Sequence, residues 1–361
     1  IENGIPTVDI WGGFEEGFPT MWMSGYPKYF SAMKNRIEQY DSVKITGPSS
    51  LDTIKQWLLD RGDGSPYGGV AVVTGNFWSL TQENIKTGPH KGSKIILGFG
   101  ADLNSPHAIT IVGYDDSVRY DLNGDGSCTN NLDINGDDKV DMRDWETGAL
   151  RIVNTWGTSF GNGGFSFLPY WTLVEVPEKG GSISDNHIFF CNVKKNVTIK
   201  AALKIQINSA HRNQIALSTG ISEDLNAQSP SKIKVFKKQF TYAGGDHPAG
   251  GGKNVNSIEI GLDITDLIDS IGNPSQYRAF LIVDSKKDDG TITSVSLMDY
   301  RSGSLLEYLS SETSVPIKNG KTLVTVQNTS LSTLMTKKSL ATQVVQVKNK
   351  DKALEIISSY S

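Results

Sequence analysis

Cysteine is nearly missing. The 361 residues hold only Cys128 and Cys191, so no disulfide framework carries this fold. Long hydrophobic runs are missing too: none approaches the roughly 18 residues of a membrane span, which excludes a helical one. Charge of one sign is scarce, with a formal net charge of −4 and no basic patch of the kind that grips a nucleic-acid backbone. The opening Ile1-Glu2-Asn3-Gly4 lacks the charged region and apolar core of a signal peptide. A chain opening on Ile is expected to be a processed or trimmed product, so secretion stays open. The acidity that exists is concentrated. Residues 121–146 carry eight Asp and Glu against Lys139 and Arg143, a local charge of −6.

What is present suits a soluble two-domain chain, being 37% hydrophobic, 20% charged and 9% aromatic. Residues 1–48 are rich in aromatics, Gly and Pro and read as irregular structure with short helical pieces. Ser50 followed by Leu51, Ile54, Trp57 and Leu58 predicts a capped amphipathic helix ending near Gly62. Gly69–Thr74 predicts a buried strand, and residues 107–114 and 149–153 two more. Near residue 200 the texture changes to short alternating stretches, such as 203–207 and 279–283, separated by Gly-rich turns. That spacing predicts a β-sandwich, with one short helix within 261–267. Residues 311–361 are expected to finish the sandwich or form a flexible tail.

Two segments carry the chemistry. The first is Pro106-His107-Ala108-Ile109-Thr110-Ile111-Val112-Gly113-Tyr114. The second runs from Asn154 through Thr155, Trp156 and Gly157 to Gly164 and Phe165. A histidine at a strand start and an asparagine just past another strand can pair, the amide fixing the ring's tautomer. In this order the segments resemble the histidine and asparagine regions of papain-like cysteine peptidases, over roughly residues 1–195. The resemblance implies His107 as general base and then acid, Asn154 as its orienting group and Trp156 as the shield over the pair. The family's nucleophile lies 130–150 residues before these segments, in a C-G-[SA]-C-[WY] setting; here only 106 residues precede His107, and both cysteines follow it.

Between the two segments lies the acidic insert, residues 119–147. Calcium takes six to eight oxygen ligands, and an EF-hand loop offers them at positions 1, 3, 5, 7, 9 and 12. Asp133, Asn135, Asp137, the Lys139 carbonyl, Asp141 and Asp144 occupy those positions. The run resembles the calcium loops of EF-hands and dockerins, with Asp for the last Glu. A second run supplies Asp121, Asn123 and Asp125 at 1, 3 and 5, with Thr129 at 9 but Leu132 at 12. It reads as a weaker site, or half of one shared through Asp133.

The sequence therefore predicts an α+β papain-like peptidase domain over 1–200, lacking its Cys-bearing N-terminal segment, then an all-β sandwich over 201–310. The function implied is a calcium-stabilised cysteine endopeptidase acting on protein or peptide substrates. Its Cys would come from a separate N-terminal chain of the same precursor, and secretion or display at the cell surface would follow by analogy. Two alternatives stand beside it: a truncated chain, and a pseudopeptidase serving as a calcium-stabilised binding protein. His90, His187, His211 and His247 lack paired ligand spacing and read as structural or exposed. Asp263 and Asp266 read as a helix cap and a helix-start charge, and Trp11 and Trp22 as packing rather than cleft lining.

Overall fold

The structure, a computed structural model, describes residues 3–7, 9–11, 21–75, 80–98, 107–175, 186–236 and 246–329. Pro106 and residues 330–361, both read above, lie outside these. The fold is β-rich α+β. Among the described residues no helix is long and apolar enough to cross a membrane.

In chain order the first elements are α1 (Tyr26–Met33), β1 (Ile37–Lys44), α2 (Pro48–Leu59), β2 (Ala71–Gly75), β3 (Thr81–Asn84), β4 (Lys94–Gly98), β5 (His107–Arg119), β6 (Thr147–Val153), β7 (Phe165–Pro169) and β8 (His187–Val193). The remainder are β9 (Ala201–Asn208), β10 (Ile215–Ser222), β11 (Lys232–Phe236), β12 (Ser257–Asp263), α3 (Thr265–Asp269), β13 (Arg278–Ser285), β14 (Thr291–Asp299), β15 (Leu306–Leu309), β16 (Val315–Pro316) and β17 (Gly320–Gln327).

The chain divides into two compact units, Glu38–Asn192 and the combination of Ile1–Ile37 with Val193–Ser361. The boundary near 200 read from texture thus lies close to one junction. The first 37 residues, however, group with the C-terminal strands, because their aromatics are committed there. Tyr26, Tyr29 and Met33 are buried with Leu203, Ile260 and Leu262. Gly261 lets α1 approach β12 closely, since a Cβ there would come 2.9 Å from both Tyr29 and Met33. Trp11 and Trp22 pack against this same core.

Unit 38–192 is built on an eight-stranded sheet in the order β1-β8-β2-β5-β6-β7-β4-β3. α2 buries Leu51, Ile54 and Leu58 with Val73, Ile109, Ile111, Leu150 and Ile152. Each such side chain contributes about 1.5–3 kcal/mol. The helix begins at Pro48 with Gly47 as its cap, three residues ahead of the predicted cap at Ser50. Ser50 is therefore its third residue, and its hydroxyl accepts from Gly47 N (3.2 Å) and Thr46 N (2.9 Å). β2 is buried on one face only: Ala71 and Val73 are covered while Val72 is 38% exposed. An antiparallel neighbourhood needs just one covered face, so a continuous apolar run here does not mean burial on both sides.

In the other unit, β11-β10-β13-β17 form one sheet and β12-β9-β14-β15 the path of the other, with β16 paired to β14. Both sheets turn alternate residues into one core, including Leu203, Ile205 and Ile207 from β9 and Leu281, Val283, Val324 and Val326 from β13 and β17. That arrangement is a β-sandwich. β17 pairs with β13 from Arg278↔Gln327 to Ser285↔Gly320, so the described part of the C-terminal segment completes a sheet. The predicted short helix forms at 265–269, after 261–263 have ended β12. The cap position falls on Ile264, with no side-chain capping bond; Asp263, one residue earlier, accepts from Thr265 N at 2.9 Å and pairs with buried Arg36. Asp266 pairs instead with Lys234.

Candidate active site

Antiparallel pairing brings the two predicted segments together. Thr110 on β5 stands opposite Val153 on β6, so the start of β5 lies beside the residue following β6. His107 Nε2 and Asn154 Oδ1 are 3.0 Å apart. With the amide oxygen as acceptor, Nε2 carries the hydrogen and the ring's lone pair stands on Nδ1. Asn154 is buried, and its backbone N–H donates to Gly164 O at 3.0 Å. Among the described residues its Nδ2 has no hydrogen-bond partner, an uncommon state for a buried amide.

Trp156 stacks on the His107 ring with centroids 4.9 Å apart and planes at 17°. Phe160 meets the Trp156 ring edge-on at 5.8 Å. The glycine-rich turn after Trp156 holds this geometry, with Gly164 N donating to Phe160 O at 2.8 Å. Gly161 has φ +55°, and a Cβ there would lie 2.0 Å from Phe165 O. Three sequence-predicted residues thus converge into an imidazole held by an amide and covered by an indole. The arrangement can accept and return a proton at a fixed position.

Neither cysteine can serve this imidazole. Cys191 lies on β8, two strands from β5, next to Phe190, which is level with Ile111 through Ala71. Cys128 lies in the insert, beyond the opposite end of β5. Burial, helped by the Glu146 carboxylate, pushes the Cys128 thiol up, the reverse of what a nucleophile needs.

The acidic insert is carried where the β5–β6 ladder closes, at Arg119↔Thr147 with Tyr120 N donating to Glu146 O at 2.9 Å. The His107–Asn154 pair and the insert therefore occupy opposite ends of one hairpin. The span of β5 separating them is on the order of 40 Å for a fully extended strand. The two ligand runs fold alike. Asp133 accepts from Gly136 N (2.7 Å) and Asp138 N (2.8 Å); Asp121 accepts from Gly124 N (2.6 Å) and Gly126 N (2.9 Å). Asn135 and Asn123 each accept from the residue two further on, at 3.0 Å. The sixth position of each run has positive φ, Asp138 at 63° and Gly126 at 86°. An EF-hand loop makes its sharp turn at that position.

The twelfth position is where sequence and structure part. Asp144, fully buried, accepts from Ile134 N (3.0 Å) and Asp141 N (2.9 Å), positions 2 and 9 of its run. In the first run the corresponding bonds, from Leu122 N (2.7 Å) and Thr129 N (2.9 Å), go to buried Glu146. Neither Leu132 nor Asp133 takes that place. Among the described residues no three His, Cys, Asp or Glu side chains converge as a ready metal site; the carboxylates bond to the loops' own N–H groups. The Arg143 guanidinium also bridges Asp137 and Asp141, 2.6 Å from each.

No protein-family model matches the chain, no curated protein matches its sequence, and no solved structure matches its fold.

Proposed function

We propose that the chain is the larger part of a papain-like cysteine endopeptidase. The reading rests on one observation above all: His107 Nε2 set 3.0 Å from Asn154 Oδ1 beneath the stacked Trp156. The nucleophile would be a cysteine on a separate N-terminal chain. Its thiol proton passes to His107 Nδ1, and the thiolate attacks the peptide carbonyl carbon. His107 returns the proton to the departing amine, leaving a thioester. It then deprotonates the water that hydrolyses that thioester, and the thiol is restored. Asn154 holds the imidazole in the tautomer this needs, and Trp156 keeps water from their bond.

Calcium belongs to the same reading. Asp133, Asn135, Asp137, the Lys139 carbonyl, Asp141 and Asp144 would hold one ion. Asp121, Asn123, Asp125 and Thr129, closed by Glu146, would hold a second. The oxygen-only donor set suits a hard cation, which would neutralise an otherwise self-repelling loop. Export to the cell surface or medium accompanies this reading by analogy alone.

The positions and character of Cys128 and Cys191 favour a second reading, a non-catalytic, calcium-stabilised binding protein. Denaturing intact-mass spectrometry with and without an epoxide that alkylates protease cysteines separates the two. A second, smaller polypeptide gaining one inhibitor mass supports the peptidase. A single unmodified species, from material expressed with its natural upstream sequence, rejects it.

A further inference from the structure

The two runs of the insert fold alike but differ in one side chain. In the second run the Arg143 guanidinium lies between the carboxylates of Asp137 and Asp141, positions 5 and 9, with Nη2 2.6 Å from an oxygen of each. Its Nε donates to both oxygens of Asp141 as well, at 3.0 and 3.2 Å. One planar fork thus spans two of the side chains proposed to ligate calcium.

The first run has no such cation. Its position 11 is Asn131, where the second run has Arg143. The position-5 carboxylate, Asp125, accepts from Asn123 Nδ2 at 3.0 Å and Ser127 N at 2.7 Å, and it enters no ion pair among the described residues. Neutral donors do there what a charge does in the second run.

Arg143 also has room to leave. It borders a recess of about 540 Å³ whose lining includes Val140, Trp145, Val174 and Glu175, and the Glu175 carboxylate already attracts the guanidinium. The side chains of Arg143, Asp137 and Asp141 are 30, 31 and 42% exposed. Ion pairs this open to water are weak, so a divalent ion taking six or more oxygens can displace them.

We infer that Arg143 is a stand-in cation for the second run: it neutralises Asp137 and Asp141 when no metal is bound, and it leaves them when calcium binds. The inference rests on the calcium part of the proposed function. Its consequence is that the second run keeps its shape without metal and binds calcium more weakly than its ligand count implies, because the ion competes with a side chain already in place.

The test is a calcium titration of the full chain, followed by amide NMR at Gly136 and Asp138 for the second run and at Gly124 and Gly126 for the first. Arg143→Met should raise the calcium affinity of the second run about fivefold or more, the worth of two exposed ion pairs, and move the first run far less. Lys139→Met removes the same charge from the same run without touching the bridge, and should raise the affinity less. Thermal unfolding gives a second readout. Arg143→Met should lower the midpoint in EGTA, where the bridge is formed, and leave it unchanged or higher in saturating calcium. A residue that only braces the loop would lower both. Saturation in Arg143→Met alone, with the parent silent, also supports the inference. Equal affinities in parent and variant, equal gains from Arg143→Met and Lys139→Met, or a lower midpoint in both buffers overturns it while the calcium reading stands. No saturable shift in parent or variant at millimolar calcium dismisses the calcium reading and the inference together.

Discussion

Asp144 and Glu146 stand two residues apart and close two different loops with equivalent pairs of hydrogen bonds. Asp144 takes the N–H groups of Ile134 and Asp141; Glu146 takes those of Leu122 and Thr129. One short segment before β6 therefore ends both runs of the insert.

Glu146→Gln tests that role. An amide offers one acceptor oxygen where the carboxylate offers two, so one buried N–H is left facing an NH2 group. Hydrogen bonds to charged groups are worth about 1.5–3 kcal/mol, and a loss near that size is expected in urea unfolding. Unchanged stability would mean that Glu146 closes nothing.

Calcium should raise the thermal midpoint and chelator should lower it. At free ion a hundredfold above its dissociation constant, the gain is about 2.7 kcal/mol per site. Calorimetry in millimolar calcium and in EGTA measures it. Glu146→Gln should remove part of the gain and Asp144→Asn another part. Identical midpoints in the two buffers would dismiss the metal.

Asp141 predicts the acid response of the insert. Its hydrogen bonds from the Arg143 side chain, opposed by desolvation, hold its carboxyl below the usual value. A depressed folded value gives stabilisation that is complete above the unfolded pKa, about 3.9. It is lost as pH falls through the lower folded value. Following the Asp141 carboxyl carbon by NMR from neutral pH into strong acid should give a midpoint below that of Arg143→Met. Coincident midpoints would show that Arg143 does not hold it.

Gly161 and Gly163 make a matched pair in the turn that supports Asn154. Both have positive φ, 55° and 63°, but only at Gly161 would a Cβ strike backbone, 2.0 Å from Phe165 O; Gly163 faces open space. Gly163→Ala should cost about 1 kcal/mol, the ordinary left-handed penalty, and Gly161→Ala at least about 2 kcal/mol. Equal losses in chemical denaturation would rule out the contact as the cause.

The pairing of His107 with Asn154 was legible because each side chain sits beside a strand with a clear apolar pattern, and antiparallel register does the rest. The sandwich was legible from the alternation in 203–207 and 279–283, and α2 from its apolar spacing. Glu146 was not legible. It lies 24 and 17 residues from Leu122 and Thr129, and only closure of the β5–β6 ladder brings it back to them. Nor could the aromatics of residues 21–33 announce their partners, because a Tyr reads the same whether it packs on a nearby helix or on β12.

That last pairing bears on the order in which the chain folds. Tyr26 Oη meets Tyr300 Oη across 274 residues of sequence, and Asn3 donates to Gly261 across 258. The unit Glu38–Asn192 is continuous and lies wholly between these partners. On a ribosome it can complete its own core, while the segment ahead of it waits for β12 and β14. For that interval Tyr26, Tyr29 and Met33 lack the strands that bury them in the finished fold.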